Sequence, residues 1–134
     1  MIVLDASALV DVVTDQPAKP AVLEHLEQPI AAPGHQLAEV LSAVARMARG
    51  GLLDAEAAAA AVADAAALSQ NHVPLDDELL ARALVLNGRL RALDGLYVAL
   101  AERLACPLLT TDVRLKRADP PCEVIVAEAV DVDG

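Results

Sequence analysis

Residues 1–13 read MIVLDASALVDVV. Ile2, Val3 and Leu4 make the kind of short apolar run that a fully buried strand uses, but the run stops at a carboxylate, Asp5, with a hydroxyl at Ser7. Leu9, Val12 and Val13 then recur at helical spacing, so the stretch predicts a strand, an acid at its end, and a helix for which Ser7 stands as N-cap. Residues 107–112, PLLTTD, repeat the pattern near the other end of the chain, with two hydroxyls and then Asp112.

The residues between alternate in the same way. AKPAVLEHLEQ (18–28) predicts a short helix stopped by Pro29, and PIAAP (29–33) a short strand. HQLAEVLSAVARMAR (35–49) predicts a helix that ends at Gly50 and Gly51, and the Ala-rich stretch 54–71 another of high intrinsic propensity. HVPL (72–75) reads as a strand, DDELLARALVLNGRL (76–90) as a helix with an acidic first turn, and DGLYVALAERLA (94–105) as a helix opened by Asp94. EVIVAEAV (123–130) is the last strand, reached through the turn-rich RADPPC (117–122). Strands separated by helices imply parallel pairing through crossovers. The fold expected is therefore a three-layer α/β/α sandwich with a central, mostly parallel sheet, one domain over residues 1–134.

In such a sheet ligands sit beyond the carboxyl ends of the strands, so Asp5 and Asp112 would share one crest if their strands are neighbours. Two further acids could join them, each with a purely structural alternative. Glu39 shares a polar stripe with Ser42, Arg46 and Arg49, which a solvated helix face would also produce. Asp94 begins a helix, where an aspartate serves as a cap.

Composition narrows the function classes. The 134 residues carry a net charge of −10, which disfavours nucleic-acid binding by phosphate neutralisation alone unless a cation is bound. The apolar content is almost wholly Ala, Val and Leu, with no Phe or Trp and one tyrosine, Tyr97, which the helix pattern buries. No apolar stretch reaches the roughly 18 residues a membrane span needs, and no basic segment opens the chain, so a cytoplasmic protein is expected. Cys106 and Cys122 are expected to be reduced thiols engaged in packing. Asp11, Asp15, Asp76, Asp77 and Asp119 read as surface or cap residues, and His25, His35 and His72 lack ligand spacing.

With AEVLSAVARM (38–47) around Glu39, LDGLYVALAERLACPLLTTD (93–112) and the opening and closing strands, the chain resembles the PIN-domain ribonucleases. Within them it is most similar to the VapC-type toxins of bacterial and archaeal toxin–antitoxin pairs. The resemblance runs from Met1 to about Val126. Alanine is commoner than Gly95 after the third acid, and the glycine is expected to change only local helix stiffness. The resemblance implies a catalytic quartet of Asp5, Glu39, Asp94 and Asp112, with Ser7 and Thr110 as the hydroxyls beside it. It also implies RNA as substrate, a homodimer, and an antitoxin whose basic side chain enters the acidic pocket.

Electrostatics supports keeping such a quartet near a cation. Two like charges about 4 Å apart repel by roughly 4 kcal/mol at an effective dielectric of about 20. Oxygen-only donors favour Mg²⁺ or Mn²⁺. Asp5, Asp94 and Asp112 are the expected metal ligands, and Glu39 would hold a second ion or orient the attacking water. Arg114, Lys116 and Arg117 are candidate phosphate contacts. A phosphohydrolase with Asp5 as nucleophile is disfavoured, because its usual motif wants a second aspartate at the position of Ser7. A non-catalytic binding module whose acids only cap helices is the other alternative.

Overall fold

The computed structural model describes residues 1–129. Ile2, Val3 and Leu4 have no exposed surface, a state that a three-residue run reaches only between two neighbouring strands in a sheet covered on both faces. This run is β1 (Ile2–Leu4), and it lies between β2 (Ile30–Pro33) and β4 (Leu108–Thr110). β3 (Asn71–Val73) and β5 (Val124–Val126) complete the order β3-β2-β1-β4-β5, with every pairing parallel.

α1 (Ala6–Val13) and α2 (Lys19–Leu23) connect β1 to β2, and α3 (Gln36–Arg49) and α4 (Ala55–Ala67) connect β2 to β3. α5 (Asp77–Val85), a 3-10 turn at Leu86–Gly88 and α6 (Ala92–Leu104) return the chain to β4, and α7 (Val113–Arg117) leads to β5. The first two crossovers step one way across the sheet and the last two step back, so right-handed connections put α1 to α4 on one face and α5 to α7 on the other. The packing agrees: α3 lies against α1 and α4, and α5 against α6. The three-layer α/β/α sandwich is the observed architecture, and its step reverses between β1 and β4. That reversal opens a crevice at the carboxyl ends of those two strands.

α6 is the central helix. Gly95 to Ala101 are all buried, so it is enclosed on every side rather than along one stripe. α3 instead buries Gln36, Val40 and Val44 at intervals of four and stops at Gly50, with Gly51 at φ 77°. Gln36 is a fully buried polar residue: its Nε2 donates to the Leu4 carbonyl at 3.0 Å and to Gln70 Oε1 at 2.9 Å, and Gln70 Nε2 donates back to Gln36 Oε1 at 2.9 Å. This exchange satisfies the end of β1 with a side chain. Cys106 and Cys122 are free, half-buried and packed against the core. Among the described residues no helix is long and apolar enough to cross a membrane.

Several local expectations shift. Ser7 does not cap α1: Asp5 holds the N-cap position and Ser7 sits inside the first turn. α6 begins at Ala92, two residues before Asp94, so Asp94 lies within its first turn and Arg91 is the N-cap. α2 is five residues long, because Leu23 is followed by turns rather than a second helical repeat. α7 was hidden in RLKR, where a short basic run gives no periodic signal. β3 runs over Asn71–Val73 instead of 72–75, and the expected last strand is shorter, with β5 ending at Val126; its expected end, Val130, lies outside the described residues.

Gly95 also does more than soften a helix. A Cβ there would meet Ala83 Cα and O of α5 at 3.2 Å and Ala83 Cβ at 3.3 Å, so glycine lets the two helices approach. Gly95→Ala should gain helix propensity of up to about 1 kcal/mol but crowd backbone that cannot swing aside. The net expectation is a loss of about 1 kcal/mol in urea unfolding, and a clear gain would show that α5 yields freely.

Candidate active site

Each acid reaches the crevice by a different local device. Asp5 follows β1 directly, and its backbone N–H donates to the Leu109 carbonyl at 2.9 Å, which extends the β1–β4 pairing by one residue. Its side chain is 6% exposed. Oδ2 accepts from Ser7 Oγ and Thr110 Oγ1, both at 2.7 Å, and the two hydroxyls lie 3.0 Å apart. The sequence expectation that Ser7 and Thr110 stand beside the acid thus has a geometric form: both grip the same oxygen. Burial pushes the Asp5 carboxyl up to about 6 against the pull of these two hydrogen bonds, and the charges of Asp94 and Glu39 add to the rise.

Glu39 leaves the solvated stripe of α3. Its Oε1 accepts from the Tyr97 hydroxyl at 2.7 Å and lies 3.2 Å from His35 Nε2. That ring nitrogen is also 3.2 Å from the Leu93 carbonyl. Both neighbours are acceptors, so Nε2 carries the proton, and Nδ1 is buried without a partner among the described residues. Burial opposes ionisation of Glu39, yet the His35 and Tyr97 hydrogen bonds and the nearby Arg91 charge hold its carboxyl below the ordinary range. Burial and the Glu39 charge drive the Tyr97 hydroxyl the other way, so it stays protonated and donates.

Asp94 and Asp112 are the outer pair. Arg91 reaches Asp94 with Nε at 3.1 Å and Nη2 at 3.3 Å, and Arg114 reaches Asp112 with both nitrogens at 3.1 Å. Asp112 also caps α7, accepting from the Arg114 backbone N–H at 3.0 Å. The Arg114 side chain is the main reason the Asp112 carboxyl sits below the ordinary range.

One pocket of about 350 Å³ is lined by Asp5, Ser7, Glu39, Asp94 and Asp112, with Arg46, Arg91 and Arg114 around it. Thr110 supports the pocket from beneath, fully buried. Asp11, read as a surface residue, is half-buried in the same wall, and burial raises its carboxyl. His35, Arg91 and Asp11 were the residues the sequence reading passed over, because each acquires its place only from a partner far along the chain or from a local turn. Lys116 and Arg117 are exposed and lie outside the pocket lining. The donor set is all oxygen, which suits a hard divalent cation. As placed, no three acids, histidines or cysteines among the described residues are close enough together to enclose a metal ion.

The PIN domain family model matches residues 2–120. Ribonuclease VapC3 of Mycobacterium tuberculosis is 42% identical over 130 residues, covering 92% of this chain and 91% of that protein. The crystal structure of PAE2754 from Pyrobaculum aerophilum superposes with a TM-score of 0.68 at 25% identity, covering 92% of this chain and 81% of that one. A chain of a toxin–antitoxin complex from Klebsiella pneumoniae gives the same TM-score at 15% identity, over 97% of this chain and 100% of that one, a likeness of fold alone.

The buried Asp5 carboxylate has a consequence for stability. Below the unfolded value of 3.8 both states hold the proton; between about 4 and 6 only the native state does, so stability falls as pH rises through that window and stays lowered above it. Asp5→Asn removes the charge and should be more stable than wild type at pH 7 by about 1–3 kcal/mol, the gap closing toward pH 4. Urea unfolding of both proteins with chelator at the two pH values checks this.

Proposed function

This chain belongs to the PIN-domain family, and from that premise we propose that it is a VapC-type endoribonuclease, a Mg²⁺- or Mn²⁺-dependent hydrolase of RNA phosphodiester bonds that acts as the toxin of a toxin–antitoxin pair. The observation that carries the reading is the gathering of Asp5, Glu39, Asp94 and Asp112 around one pocket at the β1–β4 crevice. The near full-length identity to a protein named as a ribonuclease supports it.

In this reading Asp5, Asp94 and Asp112 would hold the cation. When bound, the cation makes water more acidic and offsets charge on the phosphate under attack. Ser7 and Thr110 fix the Asp5 rotamer, so one ligand is in place before the substrate arrives. Tyr97 and His35 keep Glu39 ionised and aimed at the pocket, where it orients the attacking water and takes up its proton. Arg46 at the pocket wall supplies positive charge for the RNA strand. Tyr97, the one side chain among Phe, Tyr and Trp, is 0% exposed, so no tyrosine stacks on bases and recognition rests mainly on charge and RNA shape.

The proposed partners are a second copy of the chain and a VapB-type antitoxin. Leu80, Leu84 and Val85 are exposed along α5, at 50%, 71% and 72%, which leaves apolar surface for a partner to cover. An antitoxin arginine in the acidic pocket would compete with the cation.

RNA cleavage should require Mg²⁺ or Mn²⁺, vanish in EDTA and fall at least a hundredfold in Asp5→Asn. Because that variant is expected to be the more stable one, its loss cannot be assigned to unfolding. Equal cleavage with and without chelator would overturn the proposal. Light scattering at micromolar concentration should give the mass of a dimer, and a monomer would remove the homodimer.

A further inference from the structure

The two arginines that close the outer acids have no part in the core. Arg91 and Arg114 are 76% and 81% exposed, and each is tied by sequence to the acid it holds, three residues before Asp94 and two after Asp112. Exposed pairs of this kind are weak, because water screens them on both sides. The inner acids are held differently, Asp5 by hydroxyls and Glu39 by Tyr97 and His35. Only the outer half of the quartet is paired directly with the chain's own arginines.

The two ion pairs also face one another. Arg91, Asp94, Asp112 and Arg114 together line a hollow of about 160 Å³ that adjoins the acidic pocket, and all four line that pocket as well. While the guanidinium forks occupy them, both carboxylate oxygens of each outer acid are spent on arginine. Released, each fork would remain at the pocket mouth on a short tether, and a planar fork suits a phosphate as well as a carboxylate. Arg46 lines the same pocket and makes no ion pair among the described residues, so it offers the same charge without the same grip.

We propose that Arg91 and Arg114 are exchangeable latches: they close Asp94 and Asp112 in the cation-free site, yield them when a divalent cation binds, and turn to the phosphates of the RNA. Cation and RNA then bind cooperatively, because each holds the latches away from the acids. The inference rests on the ribonuclease reading for its second step alone.

The test is a calorimetric titration with Mn²⁺, without RNA, of wild type, Arg91→Gln, Arg114→Gln and Arg46→Gln. Mn²⁺ should bind about three- to fivefold more tightly to each latch variant, the loss of one weak pair. Arg46→Gln, with the same charge change in the same pocket, should stay within about twofold of wild type. The latch variants should also raise KM for RNA more than they lower kcat. Equal tightening by Arg46→Gln would overturn the latch in favour of a general field effect, and unchanged Mn²⁺ affinity in both latch variants would overturn it outright. If wild type cleaves RNA in these cases, the ribonuclease reading stands while the latch falls. Selective tightening in a protein that cleaves no RNA supports the release of the acids and overturns the ribonuclease reading. Failure of all four proteins to bind Mn²⁺ overturns both.

Discussion

A single carboxylate oxygen, Asp5 Oδ2, is gripped by the Ser7 and Thr110 hydroxyls at the point where the sheet reverses its step. That grip depends on β1 and β4 being neighbours, since Thr110 lies 105 residues along the chain from Asp5. The backbone bond from Asp5 to Leu109 sets the height of the acid above the sheet, and the hydroxyls set its rotamer. The burial that makes this geometry firm also opposes the charge it presents. The chain carries a destabilising carboxylate at its centre, as proteins do where a site and not the fold determines the residue.

From that point outward the pocket changes character. Asp5 is buried and held by two hydroxyls, Glu39 is held by Tyr97 and His35, and Asp94 and Asp112 are held by arginines. The difference follows from the elements that carry them. Asp5 ends a buried strand and Glu39 is tied to α6 by Tyr97, whereas Asp94 and Asp112 occupy the first turn and the cap of helices whose N-termini open to solvent. The net charge of −10 is thus not spread evenly in its effect: at this crest Arg46, Arg91 and Arg114 lie against the acids.

α6 is the scaffold for both halves. It is buried on all sides, it places Asp94 in its first turn and the Tyr97 hydroxyl under Glu39, and it approaches α5 closely at Gly95. A helix so enclosed transmits any shift in its packing to two acids at once. The glycine that looked like a minor departure in the sequence is a spacing constraint in the fold.

Strand order, every helix but α7, the aliphatic core and the two strand-end acids were legible in the sequence, because burial on both faces leaves continuous apolar runs and amphipathic helices leave a 3.6-residue period. Both signals are local. The resemblance added Glu39 and Asp94, whose own surroundings also fitted a solvated stripe and a helix cap. What each acid touches was decided by the tertiary structure alone. Glu39 meets Tyr97 across 58 residues and Leu4 meets Gln36 across 32, and no periodicity encodes which side chain will lie opposite another once the sheet has closed. The arginine pairs are local in sequence, yet their significance was not, since only the reversal between β1 and β4 brings Asp94 and Asp112 to one pocket. Hydrogen bonds and charges act over a few ångströms, so the chemistry of the acids was set by distances that exist only in the folded chain.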